Sequence, residues 1–537
     1  MTRWKFFDAR CTIGRHYRLG PAGLHSCDDL LAEMDHYDIC EALVVDSLSG
    51  AGHPLDGNRR VLDATVQHPR LHPAWTAVPP CAEEQPEPAE FVRQMRANHV
   101  GALFLFTGQY RIRLSEWSVD ALLEPLAGAR VPVFLVPDEV GPGPAAMDRT
   151  DYDAVVALCR RWPALPVVVS EFRIRRSQRT LYRALDACPN LHVELSGYWL
   201  YRGIEYITRR WGSERLLFGS NWPTFGPHMT VAALACAEID DADKRRIAGD
   251  NLRRLIAWCE PEHPRVAPTP PADEYVQFGR TGERPQDMQF EDCHGHLGGS
   301  WCHYHVPDGD PDGIVREMER LGERRACVFS FAAVTSDECY GNDVVADAVR
   351  RHPDRFIGFT MLNQNRGAAD MQRELERGAR MGLRGIKLMA FGGVKPAPYH
   401  EDYPEEGLAD VACRWAHDRR QIILSHNWGP VEELEPLLAR YPNACFINGH
   451  TFLAYAGLME RYPNLYICSC PLLGPRECEE VVARIGADRL LFGSDLQDLP
   501  IAWGLGPILF ARLPVEQKRM ILGGNLRRLL TEYSLHP

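Results

Sequence analysis

The sequence has little of what marks a nucleic-acid or membrane protein. Its net charge is −12, from 60 lysines and arginines against 72 acidic residues, so no basic excess is available to neutralise phosphates or anionic headgroups. No uninterrupted apolar run approaches the roughly 18 residues of a membrane span, and the start, MTRWKFFDAR, places charges inside any would-be apolar leader. A disulfide framework is missing too: the 17 cysteines, an odd number, are scattered through apparent strands and helices of a large chain. These absences predict a soluble protein of the reducing cytoplasm, with no nucleic-acid or membrane partner.

What is present is a repeat. RLLFGS occurs at 215–220 and again at 489–494, and GDNLRRL at 249–255 answers GGNLRRL at 523–529; Asn221 then pairs with Asp495 at an offset of 274 positions. Near the N-termini the offset is 284, pairing Asp8 with Asp292, Asn58 with Asn342 and His68-Pro69 with His352-Pro353. A single internal repeat of this length, in 537 residues, predicts two domains, each the size of an α/β barrel. The stretch EPEHPRVAPTPPADEYVQFGRTGERPQDMQ mixes prolines and charges without apolar periodicity and reads as a linker. The expected spans are therefore 1–258 for the first barrel, 259–287 for the linker and 288–537 for the second barrel.

Within each half, short apolar runs alternate with longer helical stretches, the pattern of βα units on a parallel sheet. The second half has eight such runs, from MQFEDCH (288–294) to RLLFGSD (489–495), and the first half offers equivalents from WKFFDA to RLLFGSN. Eight parallel strands per half predict two tandem (β/α)8 barrels of the TIM type.

The polar residues fall at the carboxyl ends of the predicted strands, the face on which barrel active sites are built. His294 and His296 follow the first strand of the second half, Lys387 lies late in the fourth, and His426, His450 and Asp495 end the fifth, sixth and eighth. The i, i+2 spacing puts His294 and His296 on one side of an extended segment. With His426 and Asp495 they make a nitrogen-rich set with one carboxylate, suited to Zn²⁺ and acceptable to Mn²⁺ or Fe²⁺. Taken singly, each histidine has an ordinary structural reading, and Asp495 could be a helix cap; four separate strand ends carrying such residues together argue for one divalent metal ion. His303 and His305 share the H-x-H spacing but sit in a Gly- and Pro-rich loop, and Cys468 and Cys470 read as small core residues.

DCHGH, GIKLM, ILSH, INGH, LLFGSD and GGNLRRLL together resemble the amidohydrolase superfamily, within it the amidohydrolase-related group that includes aminocarboxymuconate semialdehyde decarboxylase. The resemblance implies that His294, His296, His426 and Asp495 are the metal ligands, with His450 as catalytic histidine and Asp495 also taking a proton from bound water. Lys387 matches a strand-4 lysine that in some relatives is carboxylated between two metals and in others contacts substrate. The implied reaction is hydrolysis of a small-molecule amide, lactone or related carbonyl bond; nonoxidative decarboxylation and a non-catalytic metal-containing scaffold are the alternatives.

The first half departs from this pattern. Arg10 and Thr12 replace the paired histidines, and Leu103, Pro137, Glu171 and Asn221 align with Lys387, His426, His450 and Asp495, so the metal is expected in the second half only. The family commonly forms dimers in which a neighbour's arginine reaches the active site, so the resemblance implies that the two barrels form an intramolecular pseudo-dimer, open to further homo-oligomerisation. Arg173, Arg175 and Arg176, in EFRIRRSQR, are the candidates to bind an acidic group of the substrate; a solvated basic loop is the plainer reading. Trp301, Tyr304, Phe391, Asn427 and Trp428 lie near the expected mouth and suit a planar substrate or simple loop packing.

Overall fold

A computed structural model describes residues 4–16, 23–137, 150–258, 269–389 and 408–533. Phe391 and positions 259–268 of the expected linker lie outside the described residues. The chain divides into two compact units, Met1–Glu283 with Leu473–Pro475, and Arg284–Leu472 with Arg476–Pro537.

In unit 1, β1 (Phe6–Ile13), β2 (Ile39–Asp46) and β3 (Leu71–Pro73) form one parallel sheet. A second holds β4 (Trp75–Thr76), β5 (Leu103–Phe106), β6 (Val133–Val136), β7 (Val167–Val169), β8 (Leu191–Glu194) and β9 (Leu216–Leu217) in sequence order. The nine described strands of this half thus fall into two hydrogen-bonded sheets, of three and six strands. The ladder lapses at Pro73, which has no N–H to donate. Ala74 N still donates to Val44 O (2.8 Å) and Trp75 N to Ala102 O (3.2 Å), so the chain runs straight from one sheet into the other. At the far edges Ala9 N donates to Phe218 O (2.9 Å) and Thr12 N to Trp222 O (2.8 Å).

Unit 2 has one eight-stranded parallel sheet: β10 (Phe290–Leu297), then, after the small hairpin β11 (Ser300–Trp301) and β12 (Tyr304–His305), β13 (Glu323–Ser330), β14 (Phe356–Leu362), β15 (Gly385–Leu388), β16 (Ile422–Ser425), β17 (Cys445–Asn448), β18 (Leu465–Cys468) and β19 (Leu490–Leu491). Cys293 N donates to Phe492 O, and His296 N to Leu496 O, both at 2.9 Å, so first and last strands meet and the barrel is nearly closed. Helices cover the outside. The one at Pro311–Leu321 shows the local logic: Asp310 caps its first turn, proline occupies the first position, and Gly322 at φ 91° ends it.

The two units repeat their anchoring hydrogen bonds. Asn58 and Asn342 each clasp a neighbouring strand, at Thr76 and Met361. Asn251 Nδ2 bonds Ser213 O and Leu216 O, as Asn525 Nδ2 bonds Ala487 O and Leu490 O. Lys244 and Lys518 each cap a helix carbonyl, of Ala235 and Leu509.

The expected linker needs a correction. Its second part holds a helix, Glu274–Thr281, capped by Asp273 and ended by Gly282 at φ 71°. Its apolar residues Tyr275, Val276 and Phe278 are buried against unit 1 helix Pro227–Cys236. Two turns are too short for the apolar spacing to stand out from flanking prolines. No helix among the described residues is long and apolar enough to cross a membrane.

Candidate metal centre

The site is built where the two ends of the unit 2 barrel meet. Asp292, wholly buried in β10, accepts from His294 N (2.7 Å), Ser494 N (3.1 Å) and the Ser494 hydroxyl, tying the first strand to the turn that presents Asp495. Burial pushes its carboxyl up to about 7, against the pull of those hydrogen bonds. Asp495 itself stands in the left-handed region, φ 58°, a conformation that Asp and Asn tolerate better than most side chains.

These anchors bring three ligand atoms together. His296 Nε2 lies 3.0 Å and His294 Nε2 3.4 Å from Asp495 Oδ1, and all three lie within 4.8 Å of one another. Two ligands on one tetrahedral zinc sit about 3.3 Å apart, from bond lengths near 2.0–2.2 Å, so the donor set fits one such ion. Among the described residues no other group of three His, Cys, Asp or Glu comes so close together. Burial opposes ionisation of Asp495, but the His296 hydrogen bond and the neighbouring imidazoles outweigh it and hold the carboxyl well below its usual range.

The surrounding groups set which nitrogen is free. His294 Nδ1 meets Gly449 O at 2.8 Å and therefore donates, leaving Nε2 as the lone-pair atom aimed at the cluster. Burial, with Lys387 nearby, keeps this imidazole neutral. His426, expected as a fourth ligand, is outside the three-residue group and pairs with His450 instead: His426 Nδ1 and His450 Nε2 are 2.9 Å apart. His450 Nδ1 faces Cys470 O at 3.1 Å and must donate there. In a neutral His450, favoured by burial and by Lys387, Nε2 is then the acceptor and His426 Nδ1 the donor. That leaves His426 Nε2 with a lone pair, on an imidazole pressed down to about 3 by burial, His450 and Lys387. His450 also packs beside His294, ring centroids 5.3 Å apart, so the four histidines form one continuous group.

Lys387 lies at this floor, fully buried, its Nζ 4.4 Å from the Phe329 ring centre and without a hydrogen-bond partner among the described residues. Burial brings its ammonium down to about 7, although Asp495 pulls the other way. Between that value and the usual 10.5 the unfolded chain carries a proton that the folded chain does not. Stability of metal-free protein should therefore rise with pH across this window, the penalty being full below about pH 7 and gone above about 10.5. Lys387→Met should remove that slope and stabilise the metal-free protein at pH 7 by a few kcal/mol, read by urea unfolding at several pH values. A slope unchanged by the substitution would refute the assignment.

The other expected residues divide. Trp301 is half-buried, its ring 5.0 Å from Phe331. Asn427 is exposed, its Oδ1 accepting from Gly429 N (2.9 Å) and Tyr455 Oη (3.0 Å). Trp428 is a correction: it is completely buried, donates Nε1 to Ile447 O (3.0 Å) and packs on Phe446, so it is barrel wall rather than substrate surface. In unit 1 Arg175 is only 2% exposed, with its guanidinium 5.7 Å from the Trp199 ring, which removes the plain solvated-loop reading for that residue. Arg173 stacks over Phe172 at 5.1 Å, and Arg176 follows in the short turn Ile174–Ser177, half-buried. His305 is exposed and bonds Ser300 Oγ (2.9 Å), away from the cluster.

Strand register corrects two alignments in unit 1. Thr76 and Met361 hold the same clasp, and they pair with Phe104 and Lys387, so Phe104 and not Leu103 occupies the lysine position. One strand further, Leu424 pairs with Lys387 as Phe134 does with Phe104, which places Val136, not Pro137, opposite His426. Glu171 and Asn221 stay opposite His450 and Asp495; Asn221 even shares its φ, 59°. Arg10 keeps the direction of His294: its Nη1 reaches Ser170 O (3.3 Å), the carbonyl at the Gly449 position, and continues to Ser170 Oγ (2.5 Å), which donates to Glu194 (2.6 Å). A buried arginine and glutamate, 3.9 Å apart, thus stand at the corresponding place in unit 1.

A protein-family model described as amidohydrolase matches residues 44–258 and again 323–531. The chain belongs to the amidohydrolase family. A comparison with curated proteins gives no match. Solved structures similar to this chain include 2,6-dihydroxybenzoate decarboxylase from Rhizobium, 16% identical over 45% of this chain and 99% of that one, TM-score 0.35. They also include 5-carboxyvanillate decarboxylase from Sphingomonas paucimobilis, 14% identical over 46% and 99%, TM-score 0.35, and 4-oxalomesaconate hydratase from Rhodopseudomonas palustris, 16% identical over 46% and 97%, TM-score 0.35.

Proposed function

We propose that this amidohydrolase is a metal-dependent hydrolase of a small-molecule amide, lactone or related carbonyl bond, with one divalent ion in unit 2 and none in unit 1. The convergence of His294, His296 and Asp495 within 4.8 Å carries the reading. His426 Nε2, left with its lone pair, would complete the set, and Zn²⁺ suits it first, with Mn²⁺ or Fe²⁺ acceptable to the same donors. A bound ion supplies Lewis acidity, lowering the pKa of water from about 15.7 to about 7. The chain's own groups do the rest. Asp495, kept ionised, takes the proton of the attacking water. His450, oriented through Nδ1 on Cys470 O, takes up at Nε2 the proton that Asp495 has removed from water and passes it to the leaving group, so the proton lost by water is the one the leaving group gains. Phe329 and Phe331 pack against His296, ring centroids 4.5 Å away in each case, and keep bulk water from that side.

In the same reading the chain is a tandem duplicate whose unit 1 is a second, degenerate barrel that serves as a built-in partner. The repeated asparagine clasps, the twice-matched family model and the buried Arg10–Glu194 pair support it. The described cysteines are all thiols, as a cytoplasmic protein would have. Arg173, Arg175 and Arg176 remain candidates to hold an acidic substrate group.

Elemental analysis of the purified chain should find about one ion per chain. On any compound it turns over in ¹⁸O-water, ¹⁸O should enter the product carboxylate without CO2 release. CO2 release without ¹⁸O incorporation would replace hydrolysis by decarboxylation.

A further inference from the structure

We infer that a cleft of about 630 Å³ beside the metal centre binds a flat, uncharged or cationic ring, the part of the substrate remote from the reacting bond. Its role as a substrate subsite rests on the proposed function; its ring selectivity does not. The cleft lies within unit 2, between the loop after β10, the turn after β13 and the helix bearing Tyr340 and Val344. No metal ligand lines it. Phe331 is shared between the two: it lines the cleft, and its ring stacks on His296 at 4.5 Å and 9°.

The lining is aromatic and acidic. Trp301 stands 53° to Phe331, and Tyr340, 62% exposed, closes the outer side. Such faces favour a ring in stacked or edge-on contact. Asp308 and Asp310 line the cleft together with His305, and the described lining has no lysine or arginine, so the acidic side chains favour an amine over a carboxylate.

The cleft is a built feature, coupled to the ligand turn. Gln497, two residues beyond Asp495 and itself fully buried, accepts from Gly299 N (3.0 Å) and donates to Gly309 O, holding both arms of the loop. The arms approach so closely that a Cβ on Gly309 would lie 2.8 Å from Gly299 Cα, and Gly299 is left-handed at φ 69°. One segment therefore presents Asp495 and fixes the cleft wall.

The test titrates the full chain, as purified and after chelator treatment, with benzylamine, benzyl alcohol and benzoate, by calorimetry or saturation-transfer NMR. Benzylamine and benzyl alcohol should bind both preparations. Trp301→Ala, and separately Tyr340→Ala on the exposed wall, should weaken them at least about fivefold with metal content unchanged. Benzoate should bind only the metal-loaded chain, unaffected by Trp301→Ala. Indifference of the amine and alcohol to both substitutions, or benzoate binding the chelated chain as tightly as benzylamine, would overturn the inference. A chain that holds no metal as purified, before any chelator, yet binds benzylamine through Trp301, would sink the hydrolase reading and leave the cleft standing.

Discussion

Asp495→Asn is expected to leave a folded protein that has lost its ion: metal per chain should fall from about one to below about a tenth, and turnover by at least about a thousandfold, the scale set by losing metal-activated water. Asn221 shows that the backbone accepts asparagine at this turn, with φ 59° against 58° for Asp495. The substitution removes the anion and keeps the shape. The imidazoles that remain, His294 and His296 with His426 to complete the set, offer lone pairs but no charge, and a cation loses the anion that balanced it. Plasma mass spectrometry beside circular dichroism separates the two effects. Full metal content in a folded Asp495→Asn chain would show that the ion sits elsewhere.

Glu194→Leu should destabilise unit 1 strongly. Arg10 and Glu194 are 6% and 1% exposed, and Ser170 bridges them. Removing Glu194 takes away a buried carboxylate 3.9 Å from the Arg10 guanidinium, which costs up to about 3–5 kcal/mol. Replacing both, Arg10→Met with Glu194→Leu, should recover most of that loss, because a desolvated pair contributes little net stability over an apolar one of similar volume. Urea unfolding followed by tryptophan fluorescence reads both variants, and metal content should be unchanged in each. A double variant whose loss equals the sum of the two single losses would mean that Arg10 and Glu194 act independently.

The sequence carried the unit 2 site further than the unit 1 interior. Strands ending in a histidine or aspartate announce their own register, since one polar residue in an apolar run marks the end that faces the centre. LFLF and VFLV carry no such mark, and a slip of one position reverses every side chain; that is how Leu103 stood in for Phe104 and Pro137 for Val136. The Arg10–Glu194 pair joins residues far apart in the chain, and no local pattern foretells it. Asp292 was visible as a residue shared with Asp8, but its work as a brace between first and last strands needed the closed ladder: Asp8 likewise accepts from Arg10 N (3.0 Å) and Ser220 N (2.9 Å). The pairing of His426 with His450 depends on side-chain rotation, which strand-end placement leaves open.

The shared turn at Asn221 and Asp495 has a practical consequence for anyone installing an ion in the first unit. Asn221→Asp would be conformationally silent, so the backbone sets no barrier. The obstacle is the guanidinium already seated there: Arg10→His alone takes a buried counter-charge from beside Glu194, and loss of Glu194 alone takes one from beside Arg10. Conversion has to change both at once, like a lock that turns only with two keys.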